Sequence, residues 1–229
     1  MVGATPDILI IRSSRAKRPL LPRASEDQQG ITTMANRATR EEIVGVADDL
    51  FYRRGFDHTS FADIAELVKI SRGNFYHHFK TKDDILDAVI QKRLADRNAM
   101  LERWEIEGET PVERISSFID ILIVNGDKIK LYGCPIGTLT SELAKLNHPA
   151  QPDAGRLFTL FRTWLRRQFI TLGREADADV LAMHLLSRSQ GAATLFNAFQ
   201  DQDFVQREVD QMKDWLKDIA AEGFKTDRG

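Results

Sequence analysis

The chain has a single cysteine, Cys134, and that scarcity excludes both an internal disulfide framework and a metal site built from a cysteine cluster. A reducing compartment is the simple expectation. The chain also lacks any apolar run approaching the roughly 18 residues that span a bilayer, so no membrane segment and a cytoplasmic location are expected. An excess of charge is missing too: 32 Lys and Arg face 34 Asp and Glu, so any basic surface for nucleic acid must be local. No internal repeat, no βαβ alternation and no glycine-rich phosphate loop are found, and no nucleophile, base and orienting group stand at a recognisable spacing. Neither an enzyme, a cofactor nor a metal is therefore expected. What is present is an ordinary globular composition, 42% hydrophobic and 29% charged over 229 residues, enough for one large domain or two small ones with a sizeable core.

Residues 1–33 differ from the rest. Arg12, Arg15, Lys17, Arg18 and Arg23 come with no acid between Asp7 and Glu26, and Pro19 and Pro22 interrupt any helix. A disordered basic arm is expected. A secretory signal would place its positive residues before the apolar Ile8 to Ile11, not after them, and the prolines argue against a transit peptide. Met34 offers an alternative start, and an arm reaching a DNA minor groove is the functional alternative.

From Ala38 the pattern is helical. Ile43, Val46, Ala47, Leu50 and Phe51 fall at helical spacing, with Thr39 and Glu42 as a capping box and Gly55 as a stop. Ser60 and Asp63 have the same capping spacing ahead of Ile64, Ala65 and Leu67. Ser71 then caps a third helix, ISRGNFYHHFKTK, whose Phe75 and Phe79 share one face. With those rings inward, Arg72, Asn74, Tyr76 and His77 lie on other faces. A long connecting helix starts near Thr81 and runs toward Trp104, and Gly108 to Pro111 break the pattern. Beyond it SFIDILIV reads as a helix buried in a bundle, with a buried strand as the competing reading. Pro135 to Leu146, Leu157 to Leu172, Ala178 to Phe199 and Phe204 to Ala220 complete an all-helical second half.

Two short helices joined by a tight turn, the second polar outward, make a helix-turn-helix whose second helix can enter a DNA major groove. Lys69, Arg72, Lys80 and Lys82 stand unopposed between Glu66 and Asp83, and Tyr76, His77 and His78 add hydrogen-bonding groups suited to phosphates. As metal ligands His77 and His78 are poor candidates, because adjacent helical positions point about 100° apart. A solvated charged face and merely exposed histidines are the bland alternatives.

The stretch GFDHTSFADIAELVKISRGNFYHHFKTKDDIL resembles the DNA-binding module of the TetR family of bacterial transcriptional regulators. Arg40 to Asp87 carry the likeness through Gly55 and Phe56, Thr59 and Ser60, Ile64 and Ala65, Ser71 and Gly73, and Phe75, Tyr76, His78, Phe79 and Lys82. Ile70 stands where the family usually has valine. The resemblance implies that Thr59, Ser60, Arg72, Gly73, Asn74, Tyr76, His77, His78 and Lys82 approach DNA. Gly73 would let the backbone come close, Arg72 and Asn74 would address base edges, and Tyr76, His78 and Lys82 would meet phosphates.

The resemblance also implies a C-terminal bundle that binds a small molecule and dimerises through its last two helices. Val205, Val209, Met212, Leu216 and Ile219 form a seam suited to helix packing, and Gly191, Ala192 and Ala193 allow close approach. The alternative is that this seam packs within the subunit. YGCPIGTLTSEL resembles a segment of one branch of the family. Phe118, Leu122, Phe161, Trp164, Met183, His184, Arg188 and Phe196 are candidates for the effector pocket or for plain core, with His184 or Arg188 as polar anchors to a mostly apolar or aromatic ligand. Cys134 precedes Pro135 at a helix start, where a thiol can serve as a redox sensor or simply as a small buried residue.

The expectation is an all-α protein: a disordered arm over 1–33, and a helix-turn-helix domain over 34–87 joined by the connecting helix to a helical effector-binding and dimerisation domain over 88–229. Its expected role is that of a homodimeric repressor of a palindromic operator in double-stranded DNA, released by a small-molecule effector that moves the helix from Lys82 to Met100. An activator or a redox-responsive regulator of the same fold, a helical enzyme, and a structural interaction protein are the alternatives.

Overall fold

The computed structural model describes residues 24–226, with side chains described over residues 36–222. Among the described residues the chain is entirely helical, without strands: α1 (Ala24–Arg54), α2 (Phe61–Val68), α3 (Arg72–His78), α4 (Lys82–Glu107), α5 (Pro111–Val124), α6 (Gly126–Tyr132), α7 (Pro135–Lys145), α8 (Gln151–Thr171), α9 (Ala178–Phe199) and α10 (Gln202–Thr226). The strand reading of SFIDILIV is thereby excluded. The expected arm falls outside the described residues up to residue 23, and from Ala24 it belongs to α1. The chain divides within α1 into two units, the first ending at Ala38 and the second beginning at Thr39. The second unit carries everything described below.

Local chemistry sets most helix starts. Ser60, Thr81 and Thr110 each accept a backbone N–H three residues on, while the acids at those positions, Asp63, Asp84 and Glu113, reach back to the cap. Pro111 occupies the first turn of α5, where its missing N–H costs no bond. Thr39 and Glu42 have the same spacing yet lie inside α1, because spacing alone cannot distinguish a helix start from a helix interior. Helix α6, seven residues between Asn125 and Gly133, is too short to leave a periodic pattern and was not anticipated from the sequence.

Two apolar clusters hold the second unit together. The larger joins α4 to α10 around Ile119, Leu157, Trp164, Phe169, Leu185 and Phe196. The smaller centres on Ile43, Phe51, Ile64, Phe75, Phe79 and Ile85, the interior of the helix-turn-helix. This smaller cluster does not stop at residue 87. Val89 and Ile90 of α4, Leu139 and Leu143 of α7, and Ala150 and Ala154 at the start of α8 pack into it. They extend the core of the helix-turn-helix into α4, α7 and α8, and a domain of its size is marginal alone.

Candidate nucleic-acid interface and effector cavity

Helix α3 is seven residues long and too short to be stable by itself. It is held by Phe75, 1% exposed, and by Phe79 just past its end, 2% exposed. Ser71 accepts the Asn74 N–H at 3.3 Å and closes the first turn. With the rings fixed inward, Arg72, Gly73, Asn74, Tyr76 and His77 all face solvent. Tyr76 stacks on Phe61 with centroids 5.5 Å apart and planes 16° apart, so its hydroxyl is presented on an oriented ring. Apart from its chain neighbours and the backbone of its own helix, a Cβ added at Gly73 would meet no described atom within 4 Å. Packing inside the chain therefore gives no reason for glycine there, whereas close approach by an external surface does.

Three expected contact residues turn inward. The Thr59 side chain is buried and its hydroxyl donates to the Gly55 carbonyl at 2.7 Å, tying the loop before α2 rather than facing outward as expected. Lys82, expected on phosphate, donates through Nζ to the Phe56 carbonyl at 3.0 Å and the Asp57 carbonyl at 3.3 Å, and lies 4.2 Å from the centroid of the Phe56 ring. It fastens α4 to the loop before α2. His78 is half-buried, and its Nε2 is buried with no hydrogen-bond partner in the subunit. Burial first, then His77 and Arg40, hold its imidazole below the ordinary range, so it is neutral at physiological pH. Ser60 stays exposed beside α3 while capping α2.

That loop is also held from the bundle. Glu142 of α7 accepts the Phe56 N–H through Oε2 and the Asp57 N–H through Oε1, both at 2.9 Å. Gly55 is required twice over: its φ is +90°, and a Cβ there would lie 2.8 Å from Glu142 Oε1. His148 meets the Phe56 ring edge to face at 5.1 Å, and its Nε2 stands 3.4 Å from Asp83.

At the other end of α7 lies a cavity of about 260 Å³ whose wall is shared by α1, α4 to α9 and the α6–α7 turn. Phe118, Leu122 and Phe161, three of the eight expected lining residues, are in this wall. The other five are elsewhere. Phe196 is fully buried core, and Trp164 lines a separate hollow between α4 and α8. Met183 is 42% exposed and His184 faces solvent, with its ring 4.9 Å from that of Trp215. Arg188 pairs with Glu208 at 3.2 Å and donates to Gln211 at 2.7 Å, so the two expected anchors join α9 to α10 instead.

The polar wall of the cavity comes mostly from residues that periodicity did not single out. Arg93, 4% exposed, donates to Asp48 of α1 at 2.7 Å and to the Pro135 carbonyl at 2.6 Å. Lys92 bridges Asp48 at 3.3 Å and Asp96 at 2.6 Å, and the bond to Asp96 is the main cause of its raised pKa. The Tyr52 hydroxyl donates to the Gly133 carbonyl at 2.8 Å. Burial, and next the neighbouring Cys134, push it up to about 12, so it remains a neutral donor. Cys134 caps α7 and is half-buried in this wall, its Sγ 3.5 Å from the Gly137 N–H. The legible signal was Arg93 itself, a charge set on the apolar stripe of Leu86, Val89 and Ile90.

The expected dimer seam is corrected. Val205, Val209, Met212 and Leu216 are each at most 1% exposed and pack against the bundle core of their own subunit, so they are not available to a second copy. Ile219 is partly buried against the same core. The amphipathic stripe was real, but its partner is α5 and α9 of the same chain. The outward apolar residues of α9 are Val180, Met183, Leu195 and Phe199, with the exposed Gly191 among them.

Comparison with known proteins places this geometry. Residues 43–89 match the family of bacterial regulatory proteins named for TetR, and residues 111–211 match the C-terminal domain of LmrA/YxaF-like transcriptional regulators. An HTH-type transcriptional regulator in the lacX 3′ region of Lactococcus lactis is 27% identical over 77% of this chain and 92% of its own length. The HTH-type transcriptional repressor DhaR of a Mycobacterium species is 26% identical over 69% of this chain and 82% of its own. Among solved structures, a TetR transcriptional regulator from Legionella pneumophila superposes with a TM-score of 0.65 at 27% identity, over 75% of this chain and 95% of that one. A TetR transcriptional regulator from Chloroflexus aurantiacus reaches 0.71 at 21% identity, over 80% and 96%.

Proposed function

Because the chain belongs to the TetR family of bacterial transcriptional regulators, we propose that it acts as a homodimeric repressor of a palindromic operator and is released when a small molecule fills the α1/α4/α7 cavity. The observation that carries this reading is the double duty of α7. Its first turn, Pro135 and Ile136, walls the cavity, and Glu142 near its other end holds the backbone N–H groups of the loop before α2.

Two copies are needed because one α3 reads only a half-site. Half-sites one turn apart require two recognition helices roughly 34 Å apart in the groove. The outward apolar face of α9, with Val180, Met183, Leu195 and Phe199, is the natural contact between copies. A ligand that wedges α4 and α7 away from Asp48 and Tyr52 favours an arrangement in which that separation no longer fits. To move the population from almost wholly bound to almost wholly released, it must prefer the released form by about 5.5 kcal/mol in total.

The test is a salt-dependent binding titration of the purified protein against the DNA flanking its own gene, with a random duplex as control. Tight, palindrome-dependent binding by two protomers is expected. Equal, salt-sensitive affinity for both duplexes would remove the operator reading and leave only the fold.

A further inference from the structure

The charge pattern around the cavity is lopsided once its internal pairs are removed. Three carboxylates line it, Asp48, Asp49 and Asp96, and each is already paired. Asp48 bonds Arg93 at 2.7 Å and Lys92 at 3.3 Å, Asp96 bonds Lys92 at 2.6 Å, and Asp49 bonds Arg53 at 3.1 Å. Two of these three cations, Lys92 and Arg53, reach in from outside the wall. Of the cations that do line it, Arg93 is used by Asp48, while Arg97 of α4 and Lys128 of α6 have no ion-pair or hydrogen-bond partner among the described residues. Arg97 is half-buried, so its charge acts across less water than a surface charge does.

The rest of the wall is aromatic and aliphatic, with Phe118, Phe158, Phe161, Met100, Ile121 and Leu122 as its body. Resting on the reading of this cavity as the effector site, we propose that it takes an amphipathic anion: a compact ring-bearing molecule with one carboxylate, or a similarly acidic group, bound by Arg97 and Lys128. The carboxylates offer a cationic ligand little, because each would have to give up a partner it already holds. Two unpaired cations beside apolar surface favour the opposite sign, and a guanidinium and a carboxylate match in geometry as well as charge. The volume of about 260 Å³ suits a bicyclic body better than a long chain.

The experiment is calorimetric titration of the full chain with three probes sharing one ring system: a naphthalene carboxylate, the matching carboxamide and the matching aminomethyl cation. The carboxylate is expected to bind about tenfold or more tightly than the carboxamide, as a charge-assisted pair requires. In the Arg97→Gln/Lys128→Gln double variant that advantage should vanish, with the carboxamide affinity within about twofold of the parent's. Neither side chain makes a hydrogen bond or ion pair among the described residues, and an unchanged melting temperature checks that the variant folds. Equal binding of carboxylate and carboxamide, preference for the cation, no binding by any probe, or an advantage that survives in the double variant would overturn the proposal. Operator binding without ligand, measured separately, tells the two readings apart. A protein that binds its palindrome but shows no anion preference keeps the regulator role and loses this inference; the reverse result keeps the anion site and loses the operator.

Discussion

Helix α3 and the α1/α4/α7 junction are both rich in polar side chains, and they use them in opposite ways. On α3, the side chains of Arg72, Asn74 and His77 are exposed and make no hydrogen bond or ion pair among the described residues, although the helix under them is fixed by two buried rings. At the junction Asp48, Arg93, Lys92, Tyr52 and Glu142 are tied to named partners within the chain. Rigid scaffolding with unsatisfied donors marks a surface made for something outside the chain, while satisfied donors mark a surface that sets the position of its neighbours. Lys82 and Arg72 make the contrast sharpest. Both are cations beside the same turn, yet only Arg72 is left unpaired.

The largest expected break in this contrast comes from Asp48→Ala. It leaves the almost fully buried Arg93 without its carboxylate, and should destabilise the protein by about 3 kcal/mol in urea titrations. Next is Asn74→Ala, which should cost about 1–3 kcal/mol of operator binding and relax the preferred base at one position of each half-site. Its folding stability should stay within about 0.5 kcal/mol of the parent. An identical preferred site in a binding selection would remove Asn74 from base contact.

Glu142→Gln keeps the size of the side chain but removes the charge that two N–H groups share. A loss of about 1.5 kcal/mol of stability is expected, with a weaker response of operator binding to effector, read by fluorescence anisotropy. Smaller still is the difference between Arg72→Ala and Lys82→Met in the salt dependence of binding. Arg72→Ala removes an unpaired positive charge facing the duplex and should lower the slope by about one unit, whereas Lys82→Met should leave the slope unchanged and lower the melting temperature. The smallest effect is one of pH. Backbone N–H groups of Thr81 and Lys80 hold the Asp84 carboxyl below its ordinary value of 3.8. Its contribution is thus present above that value and lost as pH falls through the lower folded one. Asp84→Asn should lower stability slightly at neutral pH and leave it nearly unchanged at the acid end, so the acid limb of the stability curve becomes flatter.

The helix-turn-helix was legible in the sequence because its signals are local. Ser60 with Asp63, Ser71 with Asn74, and the Phe75 and Phe79 pair all act within four residues, and the helices form where those residues say. Thr59, Lys82 and His78 make contacts within the subunit that the sequence pattern does not show: the Gly55 carbonyl for Thr59, carbonyls of the loop before α2 for Lys82, and burial for His78. The seam of Val205, Val209, Met212 and Leu216 shows a second limit. An amphipathic stripe states that a helix is covered on one side, but α5 and α9 cover this one, not another subunit. For the cavity, Phe118, Leu122 and Phe161 could be anticipated as apolar lining. The contribution of α1 could not, since nothing in Asp48 or Tyr52 reveals that α7 will pass over them.

Helix α7 spans eleven residues, a rod of roughly 16 Å. Along it, the residues that meet the cavity and those that meet the DNA-binding core are different: Pro135 and Ile136 at one end, Leu139, Glu142 and Leu143 farther along. Under the proposed function, mutations at the first set can change which compound is recognised without disturbing the contact at the second. On that reading a new inducer can be acquired by a few substitutions while the operator is kept, and an engineer can vary the two ends separately for the same reason.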